Sequence, residues 1–209
     1  MSKSQYHHGD LRKALIQASL DLVEAEGPHE ISLREAARRV GVSPGAPYRH
    51  FKSRQELMAA VAMEVMARYS ALVEEELERV GPGPIEAFRA QGLASVRFAK
   101  EHPNLFRLMS SRSYFDSLGP EVIEGAKAKR EEILELLREA QRAGLLGTGK
   151  PEHALLAGQA LAYGLARMLV DGRLALLGHA EDDVVELMMA LTKVLGEGLF
   201  PREKPLSCS

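Results

Sequence analysis

Residues 32–57, SLREAARRVGVSPGAPYRHFKSRQEL, decide how this chain is read. Ser32-Leu33-Arg34-Glu35 has the form of a capping box, in which the Ser hydroxyl and the Glu carboxylate each satisfy a free backbone N–H at a helix start. The helix it opens is short, because Gly41 follows Val40 and tolerates the left-handed backbone of a tight turn. Ser43-Pro44 reads as a second start, with Ser as N-cap and Pro at the first helical position, where its missing N–H is harmless. A third helix is expected over 44–51. Ala36 and Ala37 are small enough for a close helix crossing, and Val42 and Phe51 are apolar plugs that fix the angle. Upstream, residues 10–26 predict a first helix with Leu11, Leu15, Ala18 and Leu22 on one face, Asp10 as cap and Gly27-Pro28 as stop.

Three short helices, the second and third joined at Gly41-Val42-Ser43, are the parts of a helix-turn-helix. The residues left over from the scaffold form a reading face for duplex DNA. Arg49 can fork onto a phosphate or a guanine edge. Tyr48 can donate its hydroxyl to a phosphate, and Gly45 lets backbone approach the groove. Helix starts at Leu33 and Pro44 offer free N–H groups to phosphates. The expected DNA-contacting set is Ser32, Arg34, Ser43, Pro44, Gly45, Ala46, Tyr48, Arg49, His50, Lys52 and Arg54. His50 serves equally well as packing, and Arg38 and Arg39 as a solvated face.

Beyond Ser53 the pattern is helical throughout. A long amphipathic helix is expected over 53–80, with Leu57, Val61, Val65, Leu72 and Leu77 inward, broken by Gly81-Pro82-Gly83-Pro84. Further helices are expected near 84–100, 103–111, 120–144, 151–172 and 181–198. No run of β-branched alternation supports a sheet, and the abundant Leu, Ala, Glu and Arg favour helix. The fold class is therefore all-α: an N-terminal three-helix head at 1–54 and a larger helical body at 55–209, bridged by the helix from 53 to 80. The formal net charge is −2, yet residues 1–54 hold nine Lys and Arg against six Asp and Glu, while the remainder holds 18 against 23. A basic head on an acidic body directs one end at a polyanion.

Several function classes drop out. The one cysteine, Cys208, cannot form an internal disulfide, which fits a reducing compartment. The polar start MSKSQYHHGDLRK lacks the apolar core of a signal peptide, and no stretch is long and apolar enough to span a bilayer. A cytoplasmic protein without membrane association is expected. His7-His8 lacks partners at ligand spacing, so no metal is expected. Gly144-x4-Gly149-Lys150 follows a helix rather than a strand, and Pro151 replaces the hydroxyl that a phosphate-binding loop needs. No catalytic constellation stands out, so neither enzymatic activity nor a cofactor is expected.

The stretch 32–57 resembles the DNA-binding head of the tetracycline-repressor (TetR) family: a capped second helix, Gly41-Val42-Ser43 at the turn, and Tyr48-Arg49-His50-Phe51 before a charged restart. The arm Tyr6 to Leu11 is also similar to members of that family. This chain departs from many relatives in having Pro44 in place of a Lys, and Pro47 in place of a longer apolar residue. The runs 102–109 and 164–172 resemble one C-terminal subclass, except that Gln159 and Tyr163 stand where Trp and His are common. The resemblance implies a homodimer whose four-helix bundle takes the helices near 151–172 and 181–198 from each subunit. The apolar excess of Val184, Val185, Leu187, Met188, Leu191, Val194 and Leu195 agrees.

It further implies a ligand-responsive repressor, released from a near-palindromic operator by a small apolar effector. Candidate effector contacts are Met66, Phe98, Phe106, Met109 and Tyr163, since Met and aromatic side chains suit an adaptable apolar pocket. The alternative is a helical small-molecule or protein-binding module whose DNA-binding head is degenerate.

Overall fold

Proline sets the starts of four helices in the body. The computed structural model describes residues 8–28, 31–147 and 149–197. Pro84, Pro103, Pro120 and Pro151 each occupy the first helical turn of α4 (Pro84–Glu101), α5 (Pro103–Met109), α7 (Pro120–Arg142) and α8 (Pro151–Val170). In that position the missing N–H forfeits no intrahelical bond. Before these come α1 (His8–Glu26), α2 (Leu33–Val40) and α3 (Arg54–Val80). Short α6 (Arg112–Ser117), α9 (Arg173–Leu176) and the closing α10 (Val184–Glu197) complete the set. Among the described residues there is no strand.

Two elements were not expected from the sequence. Ser111 caps α6 by accepting the Tyr114 N–H at 3.2 Å, and Gly172, at φ 69°, turns the chain into α9. The expected arm at Tyr6-His7, the single cysteine Cys208 and the side chain of Asp10 lie outside the described residues.

The head is α1, α2 and a 3-10 turn at Pro47–Arg49, packed on the start of α3. Leu15, Leu22, Ala36 and Phe51 are fully buried there. Bridging helix α3 continues into the body, burying Val61, Val65 and Leu72. Central helix α4 packs against α3, α5, α7, α8 and α10. Its close approach to α8 requires Gly158, where a Cβ would meet the Phe88 ring at 1.9 Å. One apolar core runs from Leu15 in the head to Met188 in α10, and a smaller cluster joins Ile133, Leu134, Leu137 and Leu155.

The expected third helix over 44–51 is not formed. Pro44 and Gly45 make a turn, and only Pro47–Arg49 is helical, as a single 3-10 turn. The cause is the second proline. A helix capped by Ser43 would close its first bond from the amide of residue 47 to the Ser43 carbonyl, and Pro47 has no N–H to give. The Ser43 carbonyl instead accepts the Ala46 N–H at 3.0 Å. Ser43 contributes that carbonyl and no side-chain cap.

Candidate nucleic-acid interface and effector cleft

The turn that presents the reading face is built in layers. At its base, the Ser32 hydroxyl accepts the Glu35 N–H at 3.1 Å, one half of the expected capping box. The reciprocal half is diverted, because the Glu35 carboxylate is held by the Arg38 guanidinium, which also keeps that carboxyl below its usual range. At the end of α2, Gly41 takes φ 76°. Its N–H bonds the Arg38 carbonyl at 3.2 Å, and the Val42 N–H reaches the Ala37 carbonyl at 3.0 Å. This double closure is a Schellman motif, which a residue with a Cβ would strain. The restart into α3 is capped more completely. Ser53 accepts the Glu56 N–H at 3.2 Å, while the Glu56 carboxylate accepts the Lys52 N–H at 2.6 Å.

Between these caps the chain buries Pro47 and Phe51 and turns Tyr48 and Arg49 outward. Phe51 is fully buried and Tyr48 is 52% exposed, a contrast that separates anchor from reader. Arg49, Lys52, Pro44, Gly45 and Ser43 are exposed beside Tyr48, and Ala46 is half-buried. An added Cβ at Gly45 would meet nothing within 4 Å, so that backbone faces open space. Arg34 is exposed on α2, whereas Ser32 is half-buried by its capping role. His50 is half-buried with Nε2 shielded from solvent, which is a packing position. Arg54 is also committed: its Nε donates to the Ile31 carbonyl at 2.7 Å, tying α3 to the approach into α2. Arg12, which sequence reasoning missed, stacks its guanidinium 5.1 Å from the Phe51 ring centroid and braces the plug.

Polar contacts fasten this head to the body. Glu24 at the end of α1 meets His102 Nδ1 at 2.6 Å, and its carbonyl accepts the Asn104 side-chain N–H at 2.8 Å. Arg107 donates to Asn104 Oδ1 at 2.8 Å and to the Val170 carbonyl at 2.7 Å, reaching the end of α8. Higher on α3, buried Glu76 accepts from Arg97 of α4 at 3.0 Å, and Arg97 also engages Glu75 and Glu101. These carboxylates raise the Arg97 pKa, holding it firmly charged. No sequence signal marked the long-range contacts among these, whose partners lie 21 to 80 positions apart, in contrast to the local Arg107–Asn104 and Arg97–Glu101 contacts.

Between α3 and the first half of α7 lies a cleft of about 1040 Å³. Ala59, Met63, Met66, Val73 and Leu77 form its α3 wall, and Val122, Gly125 and Ile133 belong to the α7 side. Leu77, expected among the inward core residues, is thus a cleft residue.

Of the five candidate effector contacts, Met66 alone lines this cleft. The other four do not line it. Phe98 is sealed in the core, edge-on to Tyr69 at 5.8 Å, and Phe106 is buried beside Tyr163. Met109 packs half-buried on the core, and Tyr163 stands on the outer side of α8, half exposed. Residue type alone does not separate a packed core from a cavity wall; the helical phase set by tertiary contacts does. Among the described residues, no group of three His, Cys, Asp or Glu could hold a metal ion, and no helix is long and apolar enough to cross a membrane.

Comparison with known proteins agrees with this anatomy. Residues 15–61 match the family model "Bacterial regulatory proteins, tetR family", and residues 88–192 match "Tetracyclin repressor-like, C-terminal domain". A Haemophilus influenzae protein described as an uncharacterized HTH-type transcriptional regulator is 26% identical over 139 residues, 66% of this chain and 71% of that protein. A solved Rhodococcus sp. RHA1 protein of unknown function is 32% identical with a TM-score of 0.76, covering 94% of this chain and 98% of that one. PfmR, a TetR family transcriptional regulator from Thermus thermophilus, shares the fold at 22% identity with a TM-score of 0.65, covering 91% and 97%.

Proposed function

This chain belongs to the tetracycline-repressor family and is a DNA-binding transcription regulator, and from that premise we propose that it is a cytoplasmic, homodimeric repressor released from its operator by a small apolar effector. The observation that carries the reading is the turn from Ser43 to Lys52, where buried Pro47 and Phe51 hold Tyr48 and Arg49 out in solvent. In this reading the head is residues 1–54 and the body 55–209. Arg49 supplies the forked base or phosphate contact. Tyr48 and Lys52 hold phosphates, with Arg34 and the backbone near Ser43, Pro44, Gly45 and Ala46 closing on the groove. Ser32 and Arg54 act chiefly by shaping the turn through their internal contacts, and His50 through its half-buried place in it.

Dimerisation is supported by the outer faces of α8 and α10. Leu156 is 64% exposed and Tyr163 49%, and Met189, Val194 and Leu195 add exposed apolar surface on α10. Such a face is expected to be covered. A two-fold dimer places its reading turns about 34–36 Å apart, or a multiple of that, and so reads a near-palindrome.

Release follows if an effector in the α3–α7 cleft favours a different tilt of α3. A ~100-fold loss of operator affinity needs about 2.7 kcal/mol of preference for the released state. The direct test is Arg49→Ala on the selected operator duplex, followed by fluorescence anisotropy. Affinity is expected to fall by about 1–3 kcal/mol, the range for a lost bidentate contact, with the dimer intact. Unchanged affinity would remove Arg49 from the interface.

A further inference from the structure

Along the chain the head continues into the body through α3. A single bridging helix fixes how far the head stands from the body. Its rotation about the helix axis depends on contacts made elsewhere. The apolar packing of α1 on α5 is non-directional, whereas hydrogen bonds have a preferred geometry. The hydrogen bonds between head and body gather on α5, a helix of seven residues seated on the fully buried side chains of Leu105 and Leu108.

Asn104 and Arg107 are three positions apart and share one face of α5. The Asn104 side-chain N–H donates to the Glu24 carbonyl at 2.8 Å, and Asn104 Oδ1 accepts from Arg107 Nη1 at 2.8 Å. Arg107 Nη2 then donates to the Val170 carbonyl at 2.7 Å. Glu24 lies in the last turn of α1, and Val170 is the last residue of α8. Carbonyls at a helix end lack intrahelical partners and carry the negative end of the helix dipole, so an amide N–H and a guanidinium suit them. Three hydrogen bonds in series thus form a strut from the end of a head helix to the end of α8. The Glu24 carboxylate is held separately, 2.6 Å from His102 Nδ1. At its other end α1 carries Arg12, which stacks on Phe51, so the set of α1 passes to the reading turn.

We infer that Asn104 and Arg107 are positioning residues for operator reading, whose strut sets the angle of each head against α8 and makes the protein selective for half-site spacing. The inference rests on the reading of α8 as a dimer helix, because a head fixed to α8 is then fixed to the head of the partner subunit. Base preference within a half-site stays with the turn from Ser43 to Lys52. Inserting one base pair at the dyad moves the half-sites apart by about 3.4 Å and rotates them by about 35°. Two rigidly held heads cannot follow both changes, and loosely held heads can.

The test uses the full chain and the palindromic duplex selected by the wild type, with one or two base pairs inserted or deleted at the dyad. Fluorescence anisotropy reads the affinity for each spacing. The wild type is expected to bind the altered spacings about tenfold or more weakly. Arg107→Met keeps an apolar stem and cuts the strut at α8. Asn104→Asp is nearly isosteric and cuts it at the head, since it gives up the N–H donated to Glu24 and keeps an acceptor for Arg107. Both variants are expected to remain helical dimers and to bind all these spacings within about threefold of one another. A base substitution inside one half-site is expected to cost them the same factor as it costs the wild type.

Spacing profiles parallel to the wild type in both variants, whatever their absolute affinity, would overturn the inference. So would a wild type indifferent to spacing, or variants that lose base discrimination together with spacing discrimination. Sedimentation of Leu156→Glu with Tyr163→Glu separates the inference from the dimer reading. A dimer that persists there, with relaxed spacing in the strut variants, would move the interface and sustain the strut. Monomers there, with unchanged spacing in the strut variants, would keep the interface and sink the strut.

Discussion

Where α8 crosses α4, a Cβ on Gly158 would lie 1.9 Å from Phe88 Cζ and 2.7 and 2.9 Å from the adjoining ring carbons. Gly158→Ala therefore sets two effects against each other. Removing a glycine from a helix interior stabilises by about 0.5–1 kcal/mol. Forcing a methyl group into a packed ring costs about 1–3 kcal/mol, because the ring must leave its rotamer or the helices must separate. The second effect wins, and a net loss of about 1 kcal/mol is expected, lowering Tm by about 2–4 °C for a chain of this size.

Gly125→Ala on α7 is the control. No atom lies within 4 Å of its Cβ position, so only the first effect operates, and a gain of about 0.5–1 kcal/mol is expected. Phe88→Leu withdraws the offending ring edge, so Gly158→Ala should be better tolerated on that background, with a coupling of about 1 kcal/mol or more. Urea unfolding of the wild type, both single variants of the 88/158 pair, their double and the Gly125 control, at one protein concentration, reads every quantity. A Gly158→Ala variant as stabilised as Gly125→Ala, or a cycle additive within about 0.3–0.5 kcal/mol, would refute the close-approach reasoning.

Desolvation pushes the phenols of Tyr69 and Tyr114 from the ordinary 10 up to about 12. Folded pKa values above the unfolded ones mean a contribution that is full below pH 10 and is lost as pH rises through about 12. Urea midpoints should drop over that window, and tyrosinate absorbance should show the Tyr69 and Tyr114 phenols ionising late; both titrating near pH 10 would contradict this. Leu156→Glu with Tyr163→Glu places charge on the exposed face of α8 and is expected to yield monomers in sedimentation, with helical content retained and operator affinity lost. A dimer that persists would move the interface elsewhere.

What was legible in the sequence was punctuation. Ser32, Ser53, Gly41, Gly81 and the prolines at 84, 103, 120 and 151 act through local backbone chemistry, and each marks a boundary in the folded chain. Phe51 was legible because a large apolar residue at the end of a reading turn has few other places to go. The failures were tertiary or competitive. Pro47 looked compatible with a helix until its register against Ser43 was counted. The Glu35 carboxylate had two possible partners, and Arg38 won over the backbone. Phe98 and Phe106 could not be told from cavity residues by type. The Glu24, His102, Asn104 and Arg107 contacts between head and body were equally silent, being long-range.

The measurement that bears most directly on the account is selection of bound duplexes from a random pool by the full chain at physiological salt. The account predicts a near-palindromic consensus whose half-site centres are separated by about 10 base pairs or a multiple, with enrichment abolished in Arg49→Ala. Binding without enrichment, fading uniformly as salt rises, would mean that the turn from Ser43 to Lys52 contacts phosphates without reading bases, and would contradict the assignment of an operator-specific repressor.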